Sequence, residues 1–262
     1  MKYITGIIIS VCYMEAYPMQ SQNEKLHKIL NLGNEISQIK DIDFLLEKVL
    51  SEARAFTNCD AGSIYVREGD SLKFSYAQNN TMQQQLPPGK KLPYATFIMP
   101  INNSSIAGFV ANNSTILNIA DVYELDASQP YSFNRSYDTQ TGYRTCSMLT
   151  IPLNNFRGDV IGVLQLINAM EKKKKNVIPF AKDDENDITY FAMNAATAIE
   201  RAKMTREMIL RMNKMAEMRD PKETGPHVNR VASYSVILYE AWALKKGIAQ
   251  DEIDKNRDVL RM

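Results

Sequence analysis

The chain has 262 residues, 45% hydrophobic and 23% charged, an ordinary globular composition with length for one large domain or one medium domain with appendages. Thirty-one Lys and Arg against thirty Asp and Glu leave a formal charge of +1, too little to drive sequence-blind binding to a phosphate backbone, so nucleic acid is not an expected partner. Cys12, Cys59 and Cys146 are scattered without C-x-x-C spacing and read as reduced thiols of a cytoplasmic protein, while the two histidines, His27 and His227, leave 28–226 without imidazole ligands or bases.

No apolar run reaches the ~20 residues that span a bilayer, so no membrane partner is expected. At the N-terminus Lys2 precedes an apolar stretch from Ile4 to Met14. It has the length of a signal-peptide core, but Glu15 follows directly and no A-x-A cleavage site does, so 1–22 reads as a leader outside the folded domain. From Leu26 to Lys40 apolar residues recur at three and four, the stripe of an amphipathic helix, and a second helix is expected from the N-cap Asp41 through Phe56. Ser63–Val66 and Leu72–Tyr76 are short β-prone runs separated by Glu68-Gly69-Asp70, which predicts an antiparallel hairpin.

Gln78 to Pro100 is rich in Asn, Gln, Pro and Gly and reads as a long surface loop before a strand at Phe97–Ile101. A short helix over Ile106–Ala111 leads into a strand around Ile116–Ile119. The aperiodic Asp121–Tyr143 stretch reads as a lid holding one helical turn or two. Strands at Met148–Leu153 and Val160–Ile167, joined by Asn154-Asn155-Phe156-Arg157-Gly158-Asp159, form the clearest hairpin in the chain.

After the Glu171–Lys175 charge run, which reads as a solvated loop tip, a helix is predicted from about Asp183 to Arg219. Ile188, Ala195, Ala202, Ile209 and Ala216 share one heptad seam position, with Phe191, Ala198, Thr205 and Met212 at the other. A helix folded back on the sheet accounts for the first two turns. Beyond Met204 the exposed apolar residues read as the stalk of a parallel homodimer, formed through 186–218.

The run Thr141-Gly142-Tyr143-Arg144-Thr145-Cys146-Ser147-Met148-Leu149, continuing through Ile151-Pro152-Leu153 to Gly162–Asn168, resembles a GAF domain. The match extends upstream through Ile106–Ala111 and Leu117–Tyr123, and the domain is placed at 23–202. The resemblance implies an α+β fold with a central antiparallel sheet of about six strands, helices on both faces, a long C-terminal linker helix and a ligand pocket beneath a helix and loops. Within the family the sequence looks most like the cyclic-nucleotide-binding type, whose motif is Asn-Lys, a gap, then Phe, three residues and Asp-Glu. Asn168, Phe180, Asp184 and Glu185 match it, whereas Ala169 stands where the motif has Lys.

The resemblance places Ser63 on the pocket floor, Ile106 and Ala107 at a helix N-terminus near the phosphate, Asp138, Thr141 and Thr145 along the lid, and Gln165 on the back strand. The residue types suit those roles: first-turn N–H groups attract an anion, while Thr hydroxyls and the Gln amide donate or accept as a base requires. The expected small-molecule ligand is cyclic AMP or cyclic GMP. Cys146 is followed by Ser147, not the His that usually accompanies a bilin-attaching Cys.

Residues 203–220 are expected to form the linker, and 221–262 change character again. Arg219–Val231 resembles the opening of an HD-GYP phosphodiesterase domain, a family that hydrolyses cyclic di-GMP at iron or manganese. Glu223 and His227 match its first two metal-site residues, at an i, i+4 spacing that puts both on one helix face. No His-Asp pair and no Gly-Tyr-Pro follow, and two ligands cannot assemble a metal-hydroxide nucleophile. The chain is therefore expected to be a catalytically inert sensor whose parent is the phosphodiesterase. The alternatives are cyclic di-GMP hydrolysis in a full-length form and a structural dimerisation GAF domain, its pocket closed by rings such as Tyr131, Phe133 and Tyr143.

Overall fold

A computed structural model of the chain describes residues 31–87, 92, 96–171, 176–219, 224–248, 253 and 256. The apolar leader and the first five residues of the first amphipathic helix, 26–30, lie outside these, as do Lys172–Lys175 and Glu223. The described residues divide into two compact units, 1–83 with 93–200 and 84–92 with 201–262, the break falling inside one long helix.

In the first unit, α1 is described over 31–37 and α2 runs Ile42–Thr57. Asp41 caps α2 as its residue type demands, its carboxylate accepting the Phe44 amide at 2.7 Å. Asn58 ends it in the left-handed region, and the chain turns straight into β1, Cys59–Glu68. Gly69, at φ 62, makes the turn to β2, Ser71–Asn79. There follow α3 (Asn80–Gln83), β3 (Ile98–Pro100), α4 (Ile106–Asn113), β4 (Leu117–Ile119), a 3-10 turn (Val122–Glu124) and α5 (Ser136–Thr141). The expected second hairpin is β5, Met148–Asn154, and β6, Val160–Met170. A two-residue strand that no pattern announced, β7 (Val177–Ile178), pairs with the end of β6 before α6, Lys182–Arg219.

The strands form one antiparallel sheet in the order β3-β2-β1-β6-β5-β4, with β7 beside β6. Register sorts its side chains. Ser63 stands opposite Gln165, which stands opposite Thr150, so these three share a face with Tyr65 and Val163, the face on which α4 packs through Ala107 and Val110. Gly62 is on the other face beneath α2: a Cβ there would lie 2.8 Å from the Gln165 carbonyl oxygen and 2.9 Å from Leu50 Cδ1. Only glycine allows that helix to lie so close to the sheet. The first eight residues of β1 are buried on both faces, which is why its sequence shows no clean alternation.

Helix α6 departs from the seam expectation in its first half. Ile188, Phe191, Ala195, Ala198 and Ala202 are all buried within the chain, and Asn155 ties Glu200 to the β5–β6 turn with a 2.9 Å hydrogen bond. Within the first unit the inward face therefore runs to Ile199, well beyond the two turns anticipated, because the small seam residues let the helix lie close on its own domain. After Ala202, Met204, Met208, Ile209, Met212 and Met215 are exposed, as are Tyr190 and Met193 on the outward face of the first half.

The second unit holds α7, Thr224–Lys246. Val236, Ala243 and Ile253 are buried, and Asn256 donates to the Tyr239 hydroxyl at 2.7 Å. Val231, Tyr234, Ile237, Leu238, Trp242 and Leu244 face outward. Among the described residues no helix is long and apolar enough to cross a membrane.

Candidate ligand site

On the α4 face of the sheet the middle of the core is polar. Gln165, on β6, is buried with Ser63 and Tyr65 of β1 and Thr150 of β5 around it. The Tyr65 hydroxyl donates to Gln165 Oε1 at 3.1 Å, but the remaining contacts are slack. Ser63 Oγ reaches the same oxygen only at 3.5 Å, and Gln165 Nε2 finds Thr150 Oγ1 at 3.4 Å and Met148 Sδ at 3.6 Å. Contacts of that length return little of the cost of taking an amide out of water. Burial pushes the Tyr65 phenol up to about 12. Because its folded value lies above the ordinary 10.0, the stability it contributes is present below pH 10 and lost as pH rises towards 12. Denaturation over that interval should therefore show stability falling more steeply in the wild type than in Tyr65→Phe, and equal slopes would count against the burial.

The lid is held by one carboxylate. Asp138, on α5 and buried, accepts the Thr145 amide at 2.8 Å, the Thr145 hydroxyl at 2.9 Å and the Tyr123 hydroxyl at 2.9 Å. Tyr123 itself lies between two guanidinium groups, Arg144 at 4.2 Å and Arg135 at 4.5 Å from its ring centroid. Thr141 is not brought to the cluster. It stands half-buried at the end of α5 with its hydroxyl donating back to the Tyr137 carbonyl at 2.8 Å. Ile106 and Ala107 open α4, where the Ser105 hydroxyl takes the Gly108 amide and leaves the two preceding first-turn N–H groups outside that cap.

The motif residues form a structural brace. Asn168 sits in the left-handed region at φ 56. Its carbonyl oxygen accepts the Cys146 amide at 2.7 Å, and its Nδ2 donates to the Arg144 carbonyl at 2.8 Å and the Tyr143 hydroxyl at 2.9 Å. Tyr143 in turn donates to Asp60 Oδ2 at 2.8 Å, and burial followed by that carboxylate holds its phenol well above the ordinary range. Phe180 is buried, and its carbonyl takes the Asn118 side chain. Asp184, lacking the motif lysine, caps the start of α6 by accepting the Ala181 amide at 3.2 Å, while Glu185 is bonded to Lys182.

A cavity of about 400 Å³ lies under the lid, between Ser104 and the segment from Val122 to Arg135. None of the seven residues expected to touch ligand lines it. Sequence reasoning missed Tyr65, Thr150, Tyr123 and Asp60. The first two were accessible from the alternation of β1 and β5, because Tyr65 follows Ser63 by two positions. The last two depend on the lid's path. Of the expected metal pair, His227 is exposed on α7 and Glu223 lies outside the described residues; among the described residues no three metal-ligating side chains cluster.

This fold and its motif brace agree with the sequence profile of the GAF domain, which matches residues 41–199. The chain belongs to the GAF domain family. Its GAF region is similar to part of the cGMP-specific 3',5'-cyclic phosphodiesterase of Drosophila virilis, 32% identical over 165 residues and covering 62% of this chain but 17% of that protein. The Drosophila melanogaster enzyme of the same description is 31% identical over 166 residues, with 62% and 14% covered. The chain thus spans less than a fifth of the length of these curated relatives. Among solved structures, the GAF domain of a phosphoenolpyruvate-protein phosphotransferase from Coxiella burnetii covers 70% of the chain and 96% of its own length at 16% identity, with a TM-score of 0.51, which supports the shared fold.

Proposed function

We propose that this chain is the regulatory sensor part of a signalling phosphodiesterase, in which the GAF domain binds cyclic AMP or cyclic GMP and α6 passes the change onward as a dimer helix. The observation that carries this reading is the slack hydrogen bonding of Gln165. A buried carboxamide whose Nε2 has only contacts of 3.4–3.6 Å is poised to exchange weak partners for the edge of a purine, which offers both donors and acceptors. The first-turn amides of Ile106 and Ala107 are suited to the phosphate. Asp138, through Thr145 and Tyr123, holds the lid that must open for entry, so a ligand that favours one lid position shifts the population of the other.

The assignment of 221–262 to the start of an HD-GYP domain rests on sequence alone, with Glu223 and His227 as the first two ligands of an iron or manganese site. A pair of ligands leaves such an ion uncoordinated on most sides, so no catalytic step is assigned to this chain. The competing reading is a ligand-free scaffold. It draws on the Tyr65 hydroxyl, which already occupies Gln165 Oε1, and on Tyr131 and Phe133, which pack on the Ile106–Ile119 core.

Calorimetry with both cyclic nucleotides separates the two. The sensor reading expects saturable heat from at least one nucleotide and at least about tenfold weaker binding in Gln165→Leu, the discrimination that a buried polar partner confers. No heat from the wild type at millimolar nucleotide leaves the scaffold.

A further inference from the structure

The lid cavity has a chemistry of its own, separate from the Gln165 cluster. Its floor is apolar: Val122 is buried with Ile106 and Ile119, and Leu125, Tyr131 and Phe133 pack on the same core. Its wall carries two opposite charges, Arg135 and Asp126. The two cations that flank Tyr123 are not equivalent. Arg144 is paired with Asp121 at 3.2 Å, whereas Arg135 rests on the ring and has no carboxylate partner among the described residues. Asp126 uses one oxygen, Oδ1, to accept the Ser128 amide at 2.7 Å, and that amide holds its carboxyl below the usual carboxylate range, hence ionised at neutral pH. The Ser128 side chain bonds the same carboxylate, and no Lys or Arg pairs with it among the described residues.

Arg135 and Asp126 therefore line one cavity without pairing with each other. A simple anion would complete the first and be repelled by the second, and a simple amine the reverse. A molecule bearing both signs completes both. The volume, about 400 Å³, lies at the small end of the ~300–1,000 Å³ range of ligand pockets, where an apolar body with a few placed polar groups is the usual occupant. We infer that the lid cavity is a second ligand site, taking a free α-amino acid with an apolar side chain. Its carboxylate lies on the Arg135 guanidinium, its ammonium on the Asp126 carboxylate and its side chain against Leu125, Tyr131 and Phe133. A cyclic nucleotide, with phosphate but no cation, is the wrong charge pattern for it.

The test is titration calorimetry of the full chain, without nucleotide, using L-leucine and L-phenylalanine as probes. Two analogues each remove one charge from leucine: 4-methylpentanoate lacks the ammonium and 3-methylbutylamine the carboxylate. At least one amino acid should saturate, and if it is leucine, each analogue should bind at least about tenfold more weakly, as expected when one charge of a complementary pair is lost. Arg135→Gln and Asp126→Asn should each weaken the amino acid by about the same factor. Both positions are exposed, and Asn keeps the oxygen that accepts Ser128, so an unchanged melting temperature shows the variants intact. No saturable heat from either amino acid up to about 10 mM, which is affinity too weak for a built site, overturns the inference. So does equal affinity for leucine and its analogues, or an affinity that neither substitution changes.

Discussion

Phe191→Ala is expected to destabilise the first unit by about 3–5 kcal/mol, the usual range for deleting a buried ring and leaving its space unfilled. The ring is 2% exposed on the inward face of α6, among the residues whose heptad spacing reads equally well as a dimer seam. Urea denaturation at two protein concentrations distinguishes the roles. A core residue shifts the midpoint equally at both, whereas a seam residue gives a loss that depends on concentration, because association stabilises by mass action. Met212→Ala, 63% exposed in the second half of α6, serves as the contrast: it should change folding stability by less than about 0.5 kcal/mol and affect self-association alone. If the costs were reversed, the inward face of α6 would be misassigned.

Asp138→Ala is expected to cost about 2–4 kcal/mol, since one buried carboxylate satisfies three donors and a hydrogen bond to a charged group contributes about 1.5–3 kcal/mol, less than additively. The penalty is dominated by the Thr145 backbone amide, which cannot rotate away as the Thr145 and Tyr123 hydroxyls can. Asp138→Asn should fall between the alanine variant and wild type, because its amide NH2 meets a donor where the second carboxylate oxygen had accepted one. Amide hydrogen exchange over 136–146 gives the second readout: faster exchange there with the sheet still protected marks a freed lid. Protection unchanged in the alanine variant would remove Asp138 from the role of latch.

Much of the secondary structure was legible because its signals are local. Asp41 announces a helix start by a side-chain bond to a residue three positions on, and Glu68-Gly69-Asp70 announces a hairpin by the one backbone conformation glycine tolerates cheaply. The Asn154–Asp159 turn does the same for β5 and β6. The lid was recognised only as a stretch without a period, and β7 was missed because two residues carry no pattern.

Of the candidate site, the family motif marked Asn168, Phe180, Asp184 and Glu185, while their roles came from geometry. Asp184 accepts the Ala181 amide at the start of its own helix, and Ala169 stands where the motif has lysine.

By itself the amino-acid sequence determined the order and kind of the longer helices and of the two hairpins, and the family they make, because capping, turn conformation and apolar period act over a few residues. Only the tertiary structure decided which face of α6 is spent inside the chain, how weakly Gln165 is held, and that Arg135 and Asp126 share a cavity. The physical reason is separation along the chain. Ser63 and Gln165 are 102 residues apart, and contacts made across such distances depend on sheet register and loop path, which no local spacing records.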